Sequence, residues 1–170
     1  ATAPSVIYRI LLTSGEVLEV DNPAAFPERE LIEAIEEPIV HATIMCPQKY
    51  VGQVIKVSDD RRGVYRKQEY VWGDRVALHY TLPLAEIVVD YFDALKSATR
   101  GYATLDYEHA GYQQENLVKV EMLINGEPVD ALAIICHQSN AESRGRIIAK
   151  RLKEAIPRQM FEVRIQAAIG

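Results

Sequence analysis

The hydrophobic period of residues 39–108 switches in a fixed order, and that order constrains the fold more than anything else in the chain. Residues 39–46 alternate, with Val40, Ala42, Ile44 and Cys46 on one face. Pro47 then suits the first turn of a helix, where a missing N–H costs nothing. Val51, Val54 and Ile55 mark one face of that helix, and Asp59-Asp60-Arg61-Arg62-Gly63 ends it. Two strands follow, over 64–71 and 75–82, across the turn Trp72-Gly73-Asp74. Pro83 opens a helix over 84–99, in which Leu84, Ile87, Val88, Tyr91, Phe92 and Leu95 recur at helical spacing until Gly101. Residues 102–108 return to a strand. Strand, helix, strand, strand, helix, strand is the split βαβ, ferredoxin-like order: α+β, an antiparallel sheet with both helices on one face. Leu84, Val88, Phe92 and Leu95 are expected in its core.

The flanks read differently. Residues 6–12 and 16–20, on either side of Thr13-Ser14-Gly15, predict a β-hairpin. Residues 28–37 are acidic and helix-favouring, a short docked linker. Beyond the central unit, strands over 117–124 and 129–136 meet at Asn125-Gly126, a strong hairpin signal because both residues tolerate positive φ. Ser139 and Glu142 fit a capping box, opening a helix to about Ala155 that Pro157 ends; 160–168 is a last strand. The expected division is therefore 1–37 as hairpin and linker from a preceding domain, 38–113 as the ferredoxin-like domain, and 114–170 as a partial β-β-α-β domain. The chain lacks an initiator Met, and it stops on a strand with no terminator after it. It reads as a fragment cut at both ends.

Several chemistries find no support. There is no GxxxxGK[ST] phosphate loop, no HExxH and no GxSxG. His41, His79, His109 and His137 are scattered, so solvated or structural histidines are expected. Cys46 and Cys136 match no metal spacing and sit in apolar runs, as buried free thiols do. No apolar run reaches the roughly 18 residues of a membrane span.

The net charge of −5 is uneven. Residues 1–38 hold two basic and eight acidic residues, 39–113 hold nine of each, and 114–170 hold eight basic and seven acidic. A nucleic-acid surface would therefore show as a local patch. Two candidates stand out. The helix after Ser139 carries Arg144, Arg146, Lys150, Arg151 and Lys153, a set suited to phosphates. The first helix is surrounded by Lys49, Lys56, Arg61, Arg62, Arg66 and Lys67, with Tyr50 and Tyr65 interleaved, and aromatics beside cations can stack on bases. Arg100 closes the second helix, where capping competes with phosphate binding.

Several strings carry a family resemblance. Glu37-Pro38, then Pro47-Gln48-Lys49-Tyr50-Val51-Gly52-Gln53-Val54-Ile55, the Arg62-Gly63 turn, Leu82-Pro83-Leu84-Ala85-Glu86 and the Arg100-Gly101 turn resemble the C-terminal domain shared by elongation factor G and the LepA family of translational GTPases, also called elongation factor 4. Leu123-Ile124-Asn125-Gly126-Glu127, Arg144-Gly145-Arg146 and Ile156-Pro157-Arg158-Gln159 resemble the start of the domain special to LepA. Ser139 departs from that pattern, where an acidic residue is expected.

The resemblance implies a region without catalytic residues, metal or cofactor of its own, from a parent that binds GTP and magnesium and hydrolyses GTP. It implies ribosome and tRNA as partners and no DNA. It also implies a cytoplasmic, ribosome-associated location with possible peripheral association at the membrane, and one-codon back-translocation of tRNAs as the parent's task. The RNA-facing residues would be Lys49, Arg61, Arg62, Arg100, Arg144, Arg146, Lys150 and Arg151. The alternative is an acylphosphatase-like enzyme of the same fold class. That activity needs an Arg in a phosphate loop after the first strand, where this chain has Pro47-Gln48-Lys49.

Overall fold

The computed structural model describes residues 5–155 and 165–169. In chain order it runs β1 (Tyr8–Leu12), β2 (Val17–Val20), β3 (Ile32–Pro47), α1 (Val51–Asp59), β4 (Val64–Trp72), β5 (Arg75–Pro83), α2 (Leu84–Val88), α3 (Tyr91–Ala98), β6 (Thr104–Gln114), β7 (Leu117–Ile124), β8 (Glu127–His137), α4 (Gln138–Ala155) and β9 (Ile165–Ile169). It is α+β, and every strand pairing with a defined register is antiparallel. Two compact units emerge. Among the described residues, Glu37–Gln113 with residues 5–7 make the first; Tyr8–Glu36 and those from Gln114 onward make the second.

In the first unit the strands lie in the order β6-β3-β5-β4. β3 and β5 pair from Ile39 opposite Pro83 to Pro47 opposite Arg75, and Tyr65 of β4 faces Tyr80. Alternation does the sorting: Val40, Ala42, Ile44, Cys46, Val76, Leu78, Tyr80 and Leu82 are all buried on one face. Val54 of α1, Leu84 and Ile87 of α2, and Tyr91 and Leu95 of α3 cover that face. Burying each large aliphatic contributes about 1.5–3 kcal/mol, so this layer holds the unit together. Burial also raises the Cys46 thiol pKa, against the opposing charge of Arg75. Both cysteines are buried free thiols.

Gly63 is required by a close approach. Its N–H donates to the Ser58 carbonyl at 3.0 Å. A Cβ there would lie 2.7 Å from that same oxygen and 2.9 Å from Leu82 Cδ2.

Two expectations are corrected here. The helix expected over 84–99 is two helices, α2 and α3, broken at Val89 and Asp90, with Asp90 in the left-handed region at φ 52. The break shifts the helical phase. Tyr91 and Leu95 turn inward, Val88 is half-buried, and Phe92 is 47% exposed, with Lys96 Nζ 5.3 Å from its ring centre. Residues 28–37 are not a helix either. One 3-10 turn, Arg29–Leu31, leads into β3, whose first residues pair with β1 from Leu12 opposite Ile32 to Arg9 opposite Glu36. Cross-strand pairing overrides local helix propensity there.

In the second unit β7 lies between β8 and β9. Asn125 at φ 53 and Gly126 at φ 83 make the hairpin turn, with Ile124 opposite Glu127. Val118, Val120, Met122, Cys136, Ala141 and Ile165 form the core, with Ile148 and Leu152 of α4 packed against it. Gly145 lets α4 approach β9: a Cβ there would sit 2.8 Å from Ala167 Cβ. α4 begins one residue before Ser139, and the His137 ring accepts the Ser139 N–H at 3.2 Å, so His137 takes the capping role expected of Ser139. The Pro157 stop, and the expected strand residues 160–164, lie outside the described residues.

Candidate nucleic-acid interface

Arg62 follows α1 with φ 59, a left-handed position usually given to Gly or Asn. Its side chain turns inward. Nη1 donates to Glu37 Oε1 at 2.8 Å and Nε to Glu86 Oε1 at 3.2 Å. Both carboxylates are buried, and Gln113 Nε2 also reaches Glu37 at 3.4 Å. Burial alone would lower the Arg62 pKa. The hydrogen bond and charge of Glu37, then those of Glu86, outweigh it and raise the pKa. Arg61 is occupied as well: Nη1 donates to the Val89 carbonyl at 2.7 Å and to Asp90 Oδ1 at 2.6 Å. The sequence places both arginines among the residues that would face RNA. The structure assigns both to internal ion pairs, one closing the α1–β4 turn and the other holding the break between α2 and α3.

Lys49 and Arg100, two exposed cations of the first unit, lie on either side of a pair of tyrosines. Lys49 is exposed in the 3-10 turn Gln48–Tyr50 that precedes α1, and its Nζ lies 5.2 Å from the Tyr50 ring centre. Tyr50 stacks on Tyr102 with centroids 6.2 Å apart and ring planes 19° apart. Arg100, exposed with φ 52, stands two residues before Tyr102, and Lys96 Nζ donates to the Gly101 carbonyl at 3.2 Å. The Gln48 N–H donates to the Asp74 carbonyl at 2.7 Å, so the β4–β5 turn joins Lys49, Tyr50 and Tyr102 in one crest of the first unit. Tyr65 instead packs edge-on against Tyr80, at 5.7 Å. Arg66 Nε donates to Thr81 Oγ1 at 2.8 Å, and Lys67 pairs with Glu69 at 2.7 Å.

In the second unit α4 carries five cations. Arg146, Lys150, Arg151 and Lys153 are exposed, and Arg144 is half-buried. Arg146 pairs with Glu142 one turn away. Spacings of four and three put Arg146, Lys150 and Lys153 on one stripe of the helix. Among the described residues no group of three or more His, Cys, Asp or Glu could hold a metal ion, and no helix is long and apolar enough to cross a membrane.

Sequence reasoning misses Tyr102 and Lys96, whose place depends on a contact across 52 residues between Tyr50 and Tyr102. It also misses Glu37 and Glu86 as partners of Arg62. In the sequence, Glu37-Pro38 stands only as a motif.

Residues 34–123 match the family described as elongation factor G C-terminus, and residues 124–170 match the one described as GTP-binding protein LepA C-terminus. The elongation factor 4 of Acetivibrio thermocellus is 56% identical over 99% of this chain. Those of Anoxybacillus flavithermus and Oleidesulfovibrio alaskensis are each 54% identical over all of it. The chain spans 28% of the length of each of these curated relatives.

Proposed function

Because the chain belongs to the elongation factor G C-terminus family and continues into a LepA C-terminus, we propose that it is the ribosome-facing region of a LepA-type translation factor. Its role is to hold the parent on ribosomal RNA and tRNA, while the parent binds and hydrolyses GTP with magnesium and moves tRNAs back by one codon. The region works in the cytoplasm, on ribosomes. The observation that carries this reading is local charge. In a chain of net charge −5, exposed cations gather at Lys49 and Arg100 and along α4 at Arg146, Lys150 and Arg151, with Arg144 beside them. Each phosphate such a cation neutralises releases counterions, so binding weakens steeply as salt rises.

Catalysis belongs to the parent. Neither a phosphate loop nor a magnesium-ligand motif occurs in the sequence, so the 170-residue chain should leave GTP unbound. Two measurements test the proposal. The chain should co-sediment with ribosomes at low salt and leave them as salt rises, and GTP titrated into it should give no saturable heat. Salt-independent sedimentation, or micromolar GTP binding, contradicts it.

A further inference from the structure

We propose that the crest of the first unit is a stacking site for unpaired RNA bases, with the outer ring face of Tyr102 as its docking position. The inference rests on the ribosome-facing reading above and deepens it, because it names the kind of RNA that this crest accepts.

The rings form a ladder. Lys49 Nζ lies 5.2 Å from the centre of Tyr50, and Tyr50 stacks on Tyr102 at 6.2 Å. Tyr50 is half-buried and packs against the core, so the ladder is anchored at its inner end. Tyr102 is the outer rung and is 55% exposed. Tyr70, 68% exposed, flanks the ladder through the amide of Gln48, which donates to its hydroxyl at 3.4 Å. A ring held in place on one side and open on the other offers a flat π-face at little further entropic cost. Every base has such a face, so a platform of this kind is tolerant of sequence but demands an unstacked base.

The charges around the ladder fit a nucleic acid better than an apolar protein surface. Lys49 stands at one end of it, the exposed Arg100 belongs to the turn that delivers Tyr102, and Lys96 of α3 donates to that turn at the Gly101 carbonyl. A base stacked on Tyr102 would bring its phosphates within reach of cations of that turn. Duplex RNA keeps its bases paired and stacked, so it could use the cations and not the ring.

The experiment uses the 170-residue chain, an oligouridine carrying one central 2-aminopurine, and the same strand annealed into a duplex. The single strand should bind with quenching of the 2-aminopurine. Tyr102→Leu should weaken that binding about tenfold while leaving duplex binding unchanged. Tyr70→Leu should have a smaller effect in the same direction, and circular dichroism checks that both variants fold. Equal affinity for the two RNAs, with no response to Tyr102→Leu, overturns the stacking site and leaves a phosphate surface. Failure of both RNAs to bind at low salt overturns the ribosome-facing reading as well.

Discussion

Arg62 shows why a positive residue at a helix end need not face solvent. A non-glycine residue in the left-handed region costs roughly 1–2 kcal/mol. The return is a guanidinium shared between two buried carboxylates, Glu37 and Glu86. Removing it would take the positive charge away from both buried carboxylates. Arg62→Ala should therefore lower stability by about 3–5 kcal/mol, read as a reduced urea midpoint. Lys49→Ala, at an exposed position, should stay within about 0.5 kcal/mol. Neighbouring aromatics separate in the same way. Tyr91 is fully buried, with its hydroxyl 2.6 Å from Ser58 Oγ, whereas Phe92 is 47% exposed. Tyr91→Ala should cost about 3–5 kcal/mol and Phe92→Ala less than about 1. Equal losses at the two positions would restore a continuous helix over 84–99.

At the scale of elements, the order of strands and helices in 39–108 was legible because each element carries a clean period. Their junctions were not. The α2–α3 break depends on Arg61, 28 and 29 residues away from its acceptors at Val89 and Asp90, and no local window contains that bond. The start of β3 reads as a helix until β1 is there to pair with it. The cations of α4 and Lys49 were legible as charge alone, while the Tyr102 platform required a contact that only the fold makes. β4 is the edge of its sheet, and its exposed Val64, Tyr70 and Trp72 would template aggregation on a flat strand. Register shifts between Tyr65 and Lys67 and between Tyr70 and Trp72 break that template.

The packing of α1 and α3 on the sheet has a signature in pH. Burial pushes Tyr91 from 10.0 up to about 12, against the Ser58 hydrogen bond and Arg61. Burial, with the charge of Asp59 behind it, pushes Tyr80 up to about 12 also. Both hydroxyls ionise near the ordinary tyrosine value of about 10 once unfolded. Stability from these two groups is therefore whole below pH 10 and lost as pH climbs toward 12. Denaturation midpoints across that window should fall, and Tyr91→Phe should fall less steeply than the wild type. Parallel curves would mean that Tyr91 is not buried as described.

For the whole molecule, charge is partitioned by place. The acidic excess belongs to residues 1–38, whereas four exposed cations, Arg146, Lys150, Arg151 and Lys153, share the single helix α4, and Lys49 and Arg100 are exposed in the first unit. With Arg61 and Arg62 engaged in ion pairs, α4 is the helix that presents several exposed cations together. The most direct measurement is the ribosome affinity of the intact translation factor that carries this region, followed against salt concentration. It would be made for the wild type and for a variant with Arg144, Arg146, Lys150 and Arg151 all changed to Ala. Weaker binding and a flatter salt slope are predicted, with the logarithmic slope reduced by roughly 0.7–0.9 for each phosphate that the variant no longer neutralises. A variant that folds normally and keeps both affinity and slope would return α4 to the role of a solvated helix and contradict the ribosome-facing role.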